Sequence, residues 1–298
     1  MSDETRRLLL EAQKADYGLR STFFYRKLNE LGFTAFSMQI EELARVGNAY
    51  RWEERTDWGV SESAWEQIQN SSIEPIRVFA HPLICMQNPR LLAYYRSVAA
   101  ISQKGAKRLA LPPIEQFERG FRSALSHDQA VTACRLFNRH ISAIIDSTLT
   151  FSERDIEALL LASAGAQIDG AWRNAIGEEG EAVVRRLIVS GFLKEGKIAT
   201  FHKRGGGVVA VSEIDEADMI AHLTEYQGFT LTNGTAIVFS SEPDISLLST
   251  DGKLLAAMEI KAGKDPAGAL ERLGAAQKSF THAHKENPAV HTIYVAHP

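Results

Sequence analysis

Two acidic residues and one lysine in the C-terminal part could together hold a divalent cation beside a phosphate group. Asp244 opens one apolar run, and Glu259 and Lys261 alternate within the next. Carboxylate oxygens suit Mg²⁺, which usually binds through one or two carboxylates plus phosphate oxygens and water. An ammonium group beside them could hold a water molecule or stabilise developing negative charge. These residue types therefore predict metal-assisted chemistry on a phosphate, provided that the fold brings them together.

The turn between the two runs predicts how these side chains face one another. Asp251-Gly252 is typical of a two-residue type I′ hairpin turn, so Thr250 should face Lys253. Continuing that pairing places Asp244 opposite Glu259, with Lys261 on the same face. Facing carboxylates repel each other, and a divalent cation between them would remove that cost. The other face should be apolar and should comprise Ile245, Leu247, Leu254, Met258 and Ile260.

A third carboxylate is predicted on a helix that runs from about residue 178 to residue 190. Its apolar face is centred on residues 183–188, and Glu181 lies closer to that face than Glu179 or Glu178. Glu181 is therefore the acidic residue best placed to reach the edge of a sheet under the helix. Glu178 and Glu179 are expected at the surface, where negative charge near a helix N-terminus is favourable.

The surrounding pattern predicts an α/β protein in which a mixed α+β sheet follows a mainly helical N-terminal region. We place the division between residues 1–165 and residues 166–298. Helices are predicted at 3–13, 36–46, 90–103, 113–125 and 128–147, with another from Ser152 and a loop at 164–177. Strands are predicted at 207–212, 235–240, 244–249, 254–261 and 291–296, with a helix after Asp265-Pro266.

Composition limits the class of protein further. The chain has 298 residues and a formal charge of −4, which excludes a polybasic protein. Residues 90–140 nevertheless hold nine basic and three acidic side chains, a local excess that suits an anionic partner. Cys85 and Cys134 form neither a disulfide framework nor a zinc site. No apolar run approaches the roughly 20 residues that span a bilayer, and the first 14 residues lack the apolar segment of a signal peptide. We therefore expect a cytoplasmic protein without a membrane partner.

The order Pro243-Asp244, then Glu259-Ile260-Lys261, after a helix that carries Glu181, resembles the PD-(D/E)xK nuclease superfamily. Segments 81–105, 166–177 and 262–280 resemble type II restriction endonucleases, most of all the XcyI family. The resemblance implies a restriction-endonuclease-like core and a Mg²⁺-dependent endonuclease that cuts both strands of a short palindromic site. It further implies metal ligation by Asp244 and Glu259, a water-orienting or activating role for Lys261, and Glu181 as an accessory acidic residue.

The same resemblance implies several partners. Such enzymes usually act as homodimers on double-stranded DNA, and a cognate DNA methyltransferase acts on the same site. The XcyI family suggests the sequence CCCGGG. Residues 1–165 would then serve recognition and dimerisation, and residues 166–298 would form the nuclease core. That core normally continues past its last strand with another helix and strand, whereas this sequence stops at His297-Pro298. Two alternatives stay open: a shortened core, or a sequence that is incomplete at its C-terminus.

Basic residues in two segments are candidates for DNA contacts. Lys104, Lys107 and Arg108 lie in a cluster, and Lys203 and Arg204 lie beside a glycine-rich loop. Glycine backbone allows close approach to phosphate, and arginine can read guanine with two hydrogen bonds. Three alternatives stay open: a repair or junction-resolving nuclease of the same fold, a catalytically inactive DNA-binding protein, and an interaction protein whose acidic pair is surface charge.

Overall fold

A computed structural model of the protein describes residues 18–45, 50–109, 113–262 and 269–296. The chain divides into two compact units, Met1–Trp172 and Arg173–Pro298, which we call the N-terminal and the C-terminal unit. The predicted helix at 3–13 and the Asp265-Pro266 helix start lie outside the described residues.

The N-terminal unit is built from helices around one apolar core. Its described helices are residues 18–30 (α1), Phe33–Arg45 (α2), Glu62–Gln69 (α3), Pro75–Val78 (α4), Pro82–Gln87 (α5), Leu92–Val98 (α6), Gln103–Arg108 (α7), Ile114–Glu118 (α8), His127–Asp146 (α9) and the first part of Glu153–Lys194 (α10). Helix α9 lies within one residue of the predicted 128–147 at each end, and Ser126 and Gln129 form a capping box at its start. One face of α9 is buried in the core through residues that include Cys134, Phe137 and Ile141.

Two predicted helices of this unit are shorter than the sequence pattern indicates. The segment 90–103 is divided: a 3₁₀ turn at Pro89–Leu91 leads into α6, and Ala100 then adopts a positive φ of 54°. The predicted helix 113–125 ends at Glu118, and Gly120 has a φ of 74°. Backbone in the left-handed region ends an α-helix, and the apolar spacing does not reveal it.

The loop predicted at 164–177 is wrong, because α10 is one continuous helix of 42 residues. The segment contains Gly165, Gly170 and Gly177 but no proline. Each glycine costs a helix only about 1 kcal/mol relative to alanine, whereas proline costs about 3. Ala164 packs in the apolar core of the N-terminal unit and Ile168 is also buried, which helps to offset that cost.

The C-terminal unit contains a mixed sheet. Its strands within the described residues are Ile198–Lys203 (β1), Val208–Ala210 (β2), Tyr226–Leu231 (β3), Ala236–Phe239 (β4), Ile245–Leu248 (β5), Leu254–Lys261 (β6) and His291–Ala296 (β7). The strand order is β2-β1-β3-β4-β5-β6-β7, and all neighbours are antiparallel except β6 and β7. Helices Glu216–Ala221 (α11) and Ala269–Glu286 (α12) complete the described elements. The predicted fold class is confirmed.

The sequence pattern missed β1 and β3. Gly228 lies inside β3, where a Cβ atom would lie 2.1 Å from the carbonyl oxygen of Ile237 on the next strand. Glycine is a weak strand signal, yet here it permits a close backbone approach. His202 and Lys203 end β1, and the glycine-rich turn that follows has positive φ at Gly206 and Gly207.

Helices cover both faces of the sheet beside the β5–β6 hairpin. On one face, Val189 of α10 packs in a cluster with Phe239, Ile245 and Ile260. On the other face, Ala257 packs with Ala283 of α12. Strand β6 therefore packs against α12 through Ala257 and against α10 through Ile260.

The β5–β6 hairpin reaches the predicted pairing by a different route. The backbone N–H of Ser249 donates to the carbonyl oxygen of Lys253, so the loop has three residues and not two. Leu248 then pairs with Leu254, and an irregularity after this pair restores the predicted register, in which Ile245 faces Met258. A three-residue loop with a bulge is a common hairpin solution. The placement of Leu254 is corrected, because it packs with Ala257 on the α12 face.

Candidate active site

Asp244, Glu259 and Lys261 lie together at one end of the β5–β6 hairpin. Both carboxylates are buried, each residue with 4% of its surface exposed. The Nζ atom of Lys261 lies 2.7 Å from Oε2 of Glu259 and 3.4 Å from Oδ2 of Asp244. The backbone N–H of Ile260 also donates to Oδ2 of Asp244, at 2.6 Å. Strand periodicity thus projects the two β6 side chains towards the aspartate that precedes β5.

The charges at this point do not balance, since two carboxylates share one ammonium group. Burial raises the pKa of Asp244, and the charge of Glu259 adds to the rise, against the Ile260 N–H and Lys261. For Lys261, burial lowers the pKa, but the hydrogen bond to Glu259 and the two negative charges outweigh burial and raise it. The lysine is therefore held as a cation, and the site remains short of positive charge.

A divalent cation fits this arrangement of donors. In the described part of the chain, no group of three His, Cys, Asp or Glu side chains is arranged to hold a metal ion. Asp244 and Glu259 nevertheless supply two buried oxygen donors around one small cationic group. Mg²⁺ needs no more than one or two carboxylates, since water and phosphate oxygens complete its shell. The residues present therefore match Mg²⁺ better than a metal that requires an all-protein cage.

Glu181 approaches the same site from α10. Its side chain is 31% exposed, and Nη2 of Arg185 donates to its Oε2 at 2.9 Å. Burial and the charge of Asp244 raise the pKa of Glu181, and Arg185 and Lys261 oppose the rise. Glu178 and Glu179 are exposed, as their helical positions predict. Of the three acidic residues, Glu181 is the one that is partly buried beside the sheet.

Sequence reasoning missed Arg185. Its Nη2 atom lies 3.4 Å from the carbonyl oxygen of Ser240, and its guanidinium carbon lies 5.3 Å from the centre of the Phe239 ring. Arg185 therefore connects α10 to the segment that leads into Asp244. The available signal was its spacing, because an acid followed four residues later by arginine forms a pair on a helix surface.

The predicted DNA-binding residues occupy two exposed segments, one in each unit. Lys104, Lys107 and Arg108 are exposed on α7, and Lys203 is exposed at the end of β1. Arg204 is also exposed, but its Nε atom donates to the carbonyl oxygen of Thr224 at 2.8 Å. That hydrogen bond gives Arg204 a local structural role. A DNA contact by any of these five residues stays a prediction.

Two further sequence predictions concern cysteines and membranes. Cys85 and Cys134 are free thiols buried in the N-terminal unit, with their sulfur atoms 3.8 Å apart. Among the helices in the described ranges, none combines the length and the apolar character needed to cross a bilayer.

Comparison with known protein families gives a match over most of the chain. A family described as XcyI restriction endonuclease has a sequence model that matches residues 51–203 and 208–295. The matched ranges include Glu181, Asp244, Glu259 and Lys261. Arg204 and the glycines at 205–207 fall between the two ranges. No curated protein shows significant similarity to the chain.

Proposed function

Because the chain belongs to the XcyI restriction endonuclease family and is therefore a type II site-specific deoxyribonuclease, we propose that it cuts duplex DNA with Mg²⁺ held by Asp244 and Glu259. The observation that carries this proposal is the pair of buried carboxylates that share Lys261. An ion pair that served only the structure would need one carboxylate for Lys261. The second carboxylate suits a divalent cation that binds for the reaction.

Each residue of the site has a task in phosphodiester hydrolysis. Asp244 and Glu259 would hold Mg²⁺, which when bound would supply positive charge to polarise the phosphoryl group. Lys261, which keeps its proton, donates hydrogen bonds that hold the attacking water and stabilise the charge developing on the phosphate. Glu181 is an accessory acidic residue, and its raised pKa makes it a better proton acceptor than an exposed glutamate. Arg185 holds Oε2 of Glu181 towards the site.

Recognition of DNA extends the proposal beyond the catalytic residues. Exposed Lys104, Lys107, Arg108, Lys203 and Arg204 are proposed to contact phosphates, because such contacts fix a protein on the duplex without reading sequence. A homodimer would place one active site on each strand of a palindrome, since protein and site then share twofold symmetry. CCCGGG is the proposed site, and a cognate methyltransferase would modify the same sequence.

Cleavage of defined plasmids tests this function. Two plasmids that differ only in one CCCGGG sequence are incubated with the protein in Mg²⁺ or in EDTA, and fragment ends are sequenced. We expect discrete ends at CCCGGG in Mg²⁺ and intact DNA in EDTA. Discrete ends at another sequence would overturn CCCGGG alone. Random ends would contradict site-specific cleavage, and cutting in EDTA would contradict the metal site.

A further inference from the structure

Helix α10 meets the end of β6 at Gly180 and Ala262. A Cβ atom on residue 180 would lie 2.0 Å from the Cβ atom of Ala262 and 3.4 Å from its Cα atom. Carbon atoms in contact are about 3.5–4.0 Å apart, so any side chain at 180 would push the two elements apart by about 1.5 Å. The helix and the strand are therefore as close as they are because residue 180 has no side chain.

The other glycines in α10 have no such contact. A Cβ atom at Gly165, Gly170, Gly177 or Gly191 would meet nothing within 4 Å. Glycine weakens a helix relative to alanine, because it loses more backbone freedom on folding. Of these five glycines, Gly180 alone has a packing reason to be glycine.

On both α10 and β6, the residue that makes this contact is next to a residue of the candidate active site. Gly180 directly precedes Glu181, and Ala262 directly follows Lys261. Any separation of the two elements therefore moves Glu181 away from Lys261 and Asp244. One turn further along α10, Arg185 makes the second connection, to the carbonyl oxygen of Ser240.

We propose that Gly180 is a positioning residue, whose missing side chain lets α10 dock against Ala262 so that Glu181 reaches the Asp244–Lys261 site. The proposal rests on the proposed function, since the docking distance affects catalysis through Glu181. It also explains why alanine, the better helix former, is unsuitable at this position.

A double-mutant cycle tests the contact. Gly180→Ala, Ala262→Gly and the double variant are compared with the wild type, and Gly177→Ala is the matched control. Gly180→Ala should lower kcat by roughly 100-fold, the effect of a misplacement near 1 Å, with little change in KM. Ala262→Gly removes the atom at 2.0 Å and leaves the Cα atom at 3.4 Å, an ordinary contact. The double variant should therefore recover most of the lost kcat, and Gly177→Ala should cut DNA like the wild type.

Three results would overturn the proposal: normal cleavage by Gly180→Ala, an equal loss in Gly177→Ala, or no recovery in the double variant. Melting temperatures of the same variants test the docking contact without cleavage. Gly180→Ala should melt below the wild type, and the double variant should melt above Gly180→Ala. A wild-type protein that cuts no DNA would overturn the proposed function, and the order of melting temperatures would still support or overturn the contact.

Discussion

The two units of this protein each bury a cluster of charged side chains, and the clusters differ in charge balance. In the N-terminal unit, Arg96 and Glu118 are paired through Nε and Oε1 at 2.5 Å, with 2% and 4% of their side chains exposed. The carbonyl oxygen of Ile101 accepts a further hydrogen bond from Arg96, and Gln103 donates to Glu118. One cation meets one anion, and neighbouring groups complete the hydrogen bonds.

The cluster in the C-terminal unit buries its two carboxylates to a similar extent, leaves the Lys261 side chain 24% exposed, and has one negative charge in excess. Lys261 is its only described cation in contact with Asp244 and Glu259, so one carboxylate charge is left over. Buried charge without compensation is costly. Equal numbers of positive and negative side chains are expected in a buried cluster that only stabilises the fold. An excess of one sign is expected in a cluster that a substrate or metal completes. Burial alone does not distinguish a structural cluster from a functional one.

The largest expected effect is the loss of DNA cleavage when one carboxylate of the Asp244–Glu259–Lys261 cluster is removed. Asp244→Asn keeps the shape of the side chain but removes a proposed metal ligand, so we expect cleavage to fall by roughly 1,000-fold or more, on the scale of losing a main electrostatic group. Specific DNA binding should remain. Asp251→Asn, at the exposed turn of the same hairpin, is the control and should cut normally. Plasmid cleavage and gel-shift assays measure the activity and the DNA binding of each variant. Substantial cleavage by Asp244→Asn would show that the excess carboxylate is not needed for catalysis.

The next largest effect is on the free energy of unfolding. Removing a carboxylate charge should lower it strongly only in the Arg96–Glu118 cluster. Glu118→Gln leaves Arg96 buried without its anion, which typically costs about 3–5 kcal/mol of unfolding free energy. Glu259→Gln should cost less, because Asp244 still neutralises Lys261. Urea unfolding measures both variants. Glu115→Gln, which removes the exposed partner of Arg119, is the control and should cost at most about 1 kcal/mol. Equal losses in Glu118→Gln and Glu259→Gln would show that the clusters do not differ.

The pH dependence of stability should reveal the raised pKa of Asp244 in the cluster with excess negative charge. The pKa of Asp244 is raised above its ordinary 3.8, so the folded state keeps a proton that the unfolded state has already lost. The resulting stability is present below pH 3.8 and is lost as the pH rises through the folded pKa. Asp244→Asn has no such loss. Its unfolding free energy relative to the wild type should therefore increase from pH 4 to pH 7 in the absence of divalent ions, and a constant difference would contradict the raised pKa.

The smallest effect concerns exposed basic residues, which belong to neither cluster. Lys107→Ala should lower the slope of log K for DNA against log salt by about 0.9, the change expected for one lost phosphate contact. Lys197, whose Nζ atom lies 2.5 Å from Oε2 of Glu195, is already neutralised and serves as the control. Binding in the absence of Mg²⁺ measures both slopes. An unchanged slope in Lys107→Ala would contradict a phosphate contact by that lysine.

The features that follow from local periodicity could be read from the sequence. Glu259 and Lys261 share a face because side chains on a strand alternate, and Glu181 flanks the apolar face of a helix because of the helical repeat. The capping box at Ser126 and the strand at 291–296 were likewise local patterns. The predicted two-residue turn is wrong, but an irregularity one pair later restores the predicted register from Leu247 to Ile245, the residue next to Asp244.

Only the tertiary structure decided the features that depend on what lies opposite a residue. Glycines at 165, 170 and 177 look like a loop in the sequence, yet packing keeps α10 continuous through them. Arg185 becomes part of the site through the Ser240 carbonyl, and Gly180 is distinguished from other glycines by Ala262 across the contact. The sequence alone determined which side chains could do the chemistry, because residue type and strand repeat are local. Their distances and charge balance depend on partners far along the chain, which only folding brings together.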